Sequence, residues 1–204
     1  MRFNIPNLLT LLRIALIPVF VVCYYLLPGH WANLVTTAIF GLAAVTDWLD
    51  GYLARRLKET SAFGAFLDPV ADKLMVSTAL VMLVDSNPTD FSGVLLAIPA
   101  AVIVGREITI SALREWMAEV GARAAVAVSL VGKVKTTAQM VALLLLLYRE
   151  PLLGLPTADM GLGLLYVAAI LTLWSMILYL TAAWPVLSAD KGRPGGASKG
   201  SAEY

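Results

Sequence analysis

Six stretches of about twenty mostly apolar residues, set apart by turn signals, leave this chain few folds to adopt. They fall at residues 8–27, 31–54, 65–84, 91–113, 124–148 and 161–184 of 204. A hydrocarbon layer about 30 Å thick takes roughly 20 helical residues to cross, so each stretch can span it. The breaks carry turn chemistry: Pro28 with Gly29, Asn87 with Pro88, and residues 151–156 with Gly154. Barrel strands would alternate polar and apolar residues, and these runs do not. The expected fold is all-α: a polytopic integral membrane protein with six transmembrane helices. Residues 1–7, with Arg2, Phe3, Ile5 and Pro6, read as a short N-terminal interfacial segment. The first span is long, contains Pro18 and lacks a small-residue cleavage site, so it reads as retained.

Composition narrows the function classes. Hydrophobic residues make up 59% of the chain and charged residues 14%, against about 25% charged in an ordinary soluble domain. That excludes a disordered chain, a collagen and a basic nucleic-acid-binding domain, and it weighs against a water-soluble enzyme. The single cysteine, Cys23, excludes an intrachain disulfide and a Cys-rich zinc site. The single histidine, His30, excludes a His cage and reads as part of an external turn.

Charge placement gives orientation. With the N-terminus in the cytoplasm and six spans threaded, 14 of the 15 basic residues fall on the cytoplasmic side. Arg149 alone falls outside. The positive-inside rule then puts both termini, and the loops after spans two and four, in the cytoplasm. Residues 1–187 form one membrane domain, and the polar segment 188–204, rich in Gly, Ser and Lys, reads as a disordered tail. Trp31, Tyr148 and Trp184 read as an aromatic belt. Asp85, Asp90, Glu150 and Asp159 read as solvated external charges. The 143–147 leucine run reads as lipid-facing or core filler.

Acidic residues do not belong in such spans. Asp47, Asp50, Glu59, Asp68 and Asp72 nevertheless fall on or beside the second and third. A charged side chain at the bilayer centre costs about 2.5 kcal/mol or more, so such residues are usually functional. Asp47 and Asp50 are three apart and Asp68 and Asp72 four apart, which puts each pair on one helix face. The two helices are expected to form a hairpin with a short cytoplasmic loop, so all four carboxylates can face one cavity. They would repel one another without a cation between them. Lys73 and Arg55 can neutralise part of this; a divalent ion with all-oxygen ligands, Mg²⁺ or Mn²⁺, does so better. The bland alternative is helix capping or interfacial pairing with arginine, and Asp68 before Pro69 has the look of a helix start. Gly51, Ala54 and Gly64 suit close approach of a ligand or equally close helix packing. Arg55 suits a phosphate oxygen or a snorkelling position.

The full spacing is D-x2-D-G-x2-A-R-x8-G-x3-D-x3-D, running from Asp47 through Asp50, Gly51, Ala54, Arg55, Gly64 and Asp68 to Asp72. The segment resembles the signature of the CDP-alcohol phosphotransferases at all eight fixed positions. Residues 4–13, 106–117 and 132–140 resemble the bacterial phosphatidylglycerophosphate synthase branch of that family. Only the tail after about residue 187 falls outside the resemblance. The resemblance implies transfer of a phosphatidyl group from CDP-diacylglycerol to sn-glycerol 3-phosphate, with CMP released. It implies two divalent ions, Mg²⁺ or Mn²⁺, held by Asp47, Asp50, Asp68 and Asp72, with Asp72 as general base. It places Gly51, Arg55 and Ser61 against the CDP moiety. It also implies a homodimer in the bacterial inner membrane, with the active site facing the cytoplasm.

The acceptor phosphate needs cations. Arg106, Arg114, Lys133 and Lys135 are the candidates, and Arg106 leads because it lies inside an apolar span beside Glu107. Its alternative role is an ion pair with Glu107 or an aspartate. Lys133 and Lys135 are about 200° apart on an ideal helix, so a regular helix cannot turn both to one cavity. Asn7, Thr10 and Arg13 can close the nucleotide side from the first helix, or simply anchor it. Inositol phosphate, serine or phosphatidylglycerol as acceptor would use the same donor chemistry. A cation transporter is the rival from another class, but its site should sit near the midplane between related halves.

Overall fold

The computed structural model describes residues 5–57, 62–120 and 130–190, and these form six helices. They are α1 (Ile5–Leu26), α2 (Gly29–Leu57), α3 (Ala62–Ser86), α4 (Gly93–Glu119), α5 (Leu130–Tyr148) and α6 (Thr157–Asp190). No extended strand occurs among the described residues. The expected number of helices is met, with boundaries displaced by a few residues. Ser61 and Glu59, the stretch holding Arg123, and most of the polar tail lie outside the described residues. Of the interfacial segment, only the last three residues are described, and they already belong to α1.

Three helices, α1, α4 and α6, are long and apolar enough to cross a membrane by length and composition. In α2, α3 and α5 charged residues interrupt the apolar run: Asp47 and Asp50, Asp68 and Asp72, and Lys133 and Lys135. The outside of the bundle is apolar: Leu8, Val81, Ile108, Ile170 and Trp174 are all exposed. Such a surface is unsuited to water and suited to lipid. Gly29 and Gly154, at φ of +45° and +79°, make the turns into α2 and before α6, conformations that cost other residues more.

α3 is the central helix. Its buried stripe of Ala71, Met75, Ala79, Leu80 and Leu83 recurs every three to four residues. Around it pack Phe20 and Phe40, their ring centroids 6.2 Å apart, together with Leu96, Ile103, Leu143, Leu146, Leu147 and Leu165. The leucine run of α5 is thus core filler at Leu143, Leu146 and Leu147, which are fully buried. α5 and α6 form the closest pair. At Gly161 a Cβ would lie 2.9 Å from Leu146 Cγ and 3.1 Å from the Ala142 carbonyl, so only glycine permits that approach.

Two readings need correction. α2 and α3 were expected to pair as a hairpin, but among the described residues they touch only slightly, and α1 lies against both. Asp68 is no helix start, because α3 begins at Ala62 and runs unbroken through Pro69. Pro69 is the eighth residue of α3, past the four amides that lack a helical partner, so it costs the helix one internal hydrogen bond.

Candidate active site

α1 gathers the acidic residues. Thr10 and Arg13, three apart and so on one face, are both buried. Arg13 Nη1 donates to Asp47 Oδ1 of α2 at 2.6 Å. Thr10 Oγ1 donates to Asp68 Oδ1 of α3. Arg13 is only 1% exposed, whereas the Asp47 side chain is 42% exposed, so the guanidinium is the anchored partner. Each carboxylate keeps its second oxygen outside these bonds. Asn7, one turn before Thr10, is buried on the same helix.

One turn beyond Asp68, Asp72 opens onto a cavity of about 240 Å³ between α3, α4, α5 and α6. Arg106, Arg114 and Lys135 line the same cavity. Three of the four predicted acceptor cations therefore share a space with the predicted base. Asp72 also borders a small void with Arg13 and Met140, which joins the two halves of the site.

The cations are held in a network centred on Glu107. Its Oε1 accepts from Arg106 Nη1 at 2.9 Å and from Lys135 Nζ at 2.7 Å. Arg106 Nη2 donates to Ser175 Oγ of α6 at 3.0 Å. Arg106 thus makes the ion pair weighed as its alternative role and still lines the cavity. Arg114 Nη2 donates to Tyr179 Oη at 3.0 Å, and its guanidinium lies 5.2 Å from the centre of that ring. Lys73 Nζ donates to Ser111 Oγ. Four described cations, Lys73, Arg106, Arg114 and Lys135, face two described anions, Asp72 and Glu107. The cavity has a surplus of two positive charges and suits a phosphate monoester dianion.

Reasoning from sequence missed the central role of Glu107, along with Gln139 and Tyr179. Glu107 had the stronger signal, being an acid inside an apolar span. Lys135 faces the cavity from within a regular α5, while the side chain of Lys133 lies outside the described residues. So do the side chains of Asp50 and Arg55; Gly51 is placed only as part of α2. Among the described residues no three His, Cys, Asp or Glu side chains converge as a metal-binding group. The donor set itself, carboxylate oxygens from two helices, is one that suits a hard divalent cation.

The opposite end of the bundle carries a second polar cluster. Arg149 donates to Tyr24 Oη and to Ser86 Oγ, and lies 5.1 Å from the Tyr24 ring centre. His30 Nδ1 donates to Glu150 Oε1 at 2.5 Å from the first turn of α2. Tyr25 Oη donates to Asp85 at 3.0 Å. The external charges are therefore not simply solvated: Glu150 and Asp85 are bonded, and one oxygen of Asp159 is buried.

The sequence matches the family profile described as CDP-alcohol phosphatidyltransferase over residues 3–184. Among similar proteins, one from Pectobacterium atrosepticum is 57% identical over 183 residues, covering 90% of this chain and 96% of its own. Proteins from Sodalis glossinidius and Salmonella typhimurium are each 56% identical over the same shares. All three bear the name CDP-diacylglycerol–glycerol-3-phosphate 3-phosphatidyltransferase. With an acid-bearing helix pair gripped from α1, a cation-lined cavity beside it and this match along nearly its whole length, the chain belongs to the CDP-alcohol phosphatidyltransferase family.

Proposed function

We propose that this chain transfers the phosphatidyl group of CDP-diacylglycerol to the 1-hydroxyl of sn-glycerol 3-phosphate. The new bond joins that hydroxyl oxygen to the β-phosphorus. The bond from that phosphorus to the bridging oxygen breaks, and CMP leaves. The hydroxyl proton goes to Asp72. The observation that carries this reading is the shared cavity, where a carboxylate able to take a proton lies among cations able to hold a phosphate. The names of the relatives supply the two substrates.

Each described residue has work in this scheme. Arg106, Arg114 and Lys135 hold the acceptor phosphate, with Lys133 beside them on α5. Glu107 keeps Arg106 and Lys135 aimed at one point. Arg13 and Thr10 fix the carboxylates of Asp47 and Asp68, so those groups do not have to be ordered when substrate arrives. Asn7, Gly51, Arg55 and Ser61 form the nucleotide side. Asp47, Asp50, Asp68 and Asp72 would hold two Mg²⁺ or Mn²⁺ ions, which supply neutralising charge to the pyrophosphate.

In this reading all six helices span the bacterial inner membrane as a homodimer, with the cavity facing the cytoplasm. The distribution of basic residues supports that orientation. A transporter is disfavoured by the packing: Phe20, Phe40, Leu80, Leu83 and Leu143 are fully buried in a continuous apolar core. The test is CMP release by the purified protein in detergent with Mg²⁺, comparing sn-glycerol 3-phosphate, inositol 1-phosphate, L-serine and phosphatidylglycerol. Release with glycerol 3-phosphate alone is expected. Release with a different acceptor would overturn the specificity, and no release with any would overturn the reaction.

A further inference from the structure

Gln139 stands out among the residues lining the cavity. It lies on α5 one turn beyond Lys135, so the two side chains share a face. It is only 5% exposed, yet its carboxamide oxygen is buried with no hydrogen-bond partner. Neighbouring polar side chains are bonded: Lys135 and Arg106 to Glu107, Arg114 to Tyr179, Lys73 to Ser111. A buried amide oxygen left unmatched loses the free energy of its hydration, so its place at a cavity wall calls for a ligand group. Gln139 can offer such a group an acceptor oxygen and donor hydrogens.

The surroundings say which group. Asp72 lies across the cavity on α3, and the phosphate-holding cations lie on α4 and α5. Met140, next to Gln139, borders both the cavity and the void that Asp72 shares with Arg13. A ligand with a nucleophilic hydroxyl at Asp72 and a phosphate at Arg106 and Lys135 spans this wall with its middle carbon. We propose that Gln139 is a specificity-determining residue that hydrogen-bonds the 2-hydroxyl of the acceptor. The assignment rests on glycerol 3-phosphate being that acceptor. A hydroxyl both donates and accepts, so either orientation of the amide satisfies it.

The experiment compares sn-glycerol 3-phosphate with 3-hydroxypropyl phosphate, which keeps the nucleophile and the phosphate and lacks the 2-hydroxyl. CMP release by the full-length protein in detergent, at saturating CDP-diacylglycerol, gives kcat/KM for each. The unsubstituted protein is expected to favour glycerol 3-phosphate by about 10- to 100-fold, the loss typical of leaving a buried polar group unmatched. In Gln139→Leu that ratio is expected to fall to about one to three, as follows when no unmatched amide remains to penalise the analogue. Gln139→Met, closer in length, is expected to do the same and guards against a packing defect special to leucine. A ratio unchanged in both variants, with parallel losses for the two acceptors, would overturn the assignment and leave the reaction standing. No CMP release by the unsubstituted protein with glycerol 3-phosphate would overturn the acceptor reading, and the assignment with it.

Discussion

Both ends of this bundle set arginine among polar partners, and they use it in opposite ways. At one end Arg149 closes against Tyr24 and Ser86. Its partners are neutral hydroxyls near helix ends. At the cavity end Arg13, Arg106 and Arg114 lie well inside their helices, two of them paired with carboxylates, and they border space. The Arg149 cluster is consumed in joining α1, α3 and α5. The other leaves a cavity of about 240 Å³ with surplus positive charge among its described residues. Intramembrane charge alone therefore does not mark a functional site; charge beside room for a ligand does.

The largest effect that would break this contrast comes from the cavity end. Asp72→Asn is expected to lower kcat by about 10²- to 10⁴-fold, the usual worth of a positioned base, with the protein still folded by its unchanged melting profile. Chelation by EDTA should abolish CMP release, and added Mg²⁺ or Mn²⁺ should restore it. Next, Glu107→Gln leaves Arg106 and Lys135 without their shared anion. It should raise KM for glycerol 3-phosphate by about tenfold through lost orientation, and shift KM for CDP-diacylglycerol far less. A substitution in the frame should act on stability instead. Gly161→Ala, which forces α5 and α6 apart, is expected to cost about 1–3 kcal/mol in unfolding measurements. Arg149→Met should lower stability by about 1–3 kcal/mol, since two hydroxyls lose a buried partner, with kcat/KM staying within about twofold. Smallest of all, His30→Ala breaks a pair whose histidine is 53% exposed, and its cost should stay below about 1 kcal/mol. A loss of turnover from Arg149→Met would erase the distinction between the ends.

Much of this was legible in the sequence, for physical reasons that also show where legibility stops. Helical spacing places Asp68 with Asp72, and an arginine inside an apolar run announces Arg106. Periodicity says which residues share a face but not which helix that face meets. The gathering role of α1 was therefore invisible, and α2 and α3 were wrongly paired. α6 is apolar on all sides, as a helix between lipid and core can be, so nothing in its sequence singles out the inward position of Tyr179. Glu107 was readable as an acid in a span, but its two partners come from α4 and α5, which only packing brings together. The same limit made Glu150 and Asp85 look solvated, when residues far away in sequence bind them.

The grip of α1 on Asp47 and Asp68 also bears on how the protein is made. The ribosome releases α1 first, with Thr10 and Arg13 already on one face. The two acid-bearing helices then arrive one after the other to a donor that is waiting for each. Neither carboxylate has to linger unmatched in a medium hostile to charge. Order of synthesis and order of need coincide: a helix that adds no described residue to the wall of the larger cavity is the one whose early arrival makes its assembly safe.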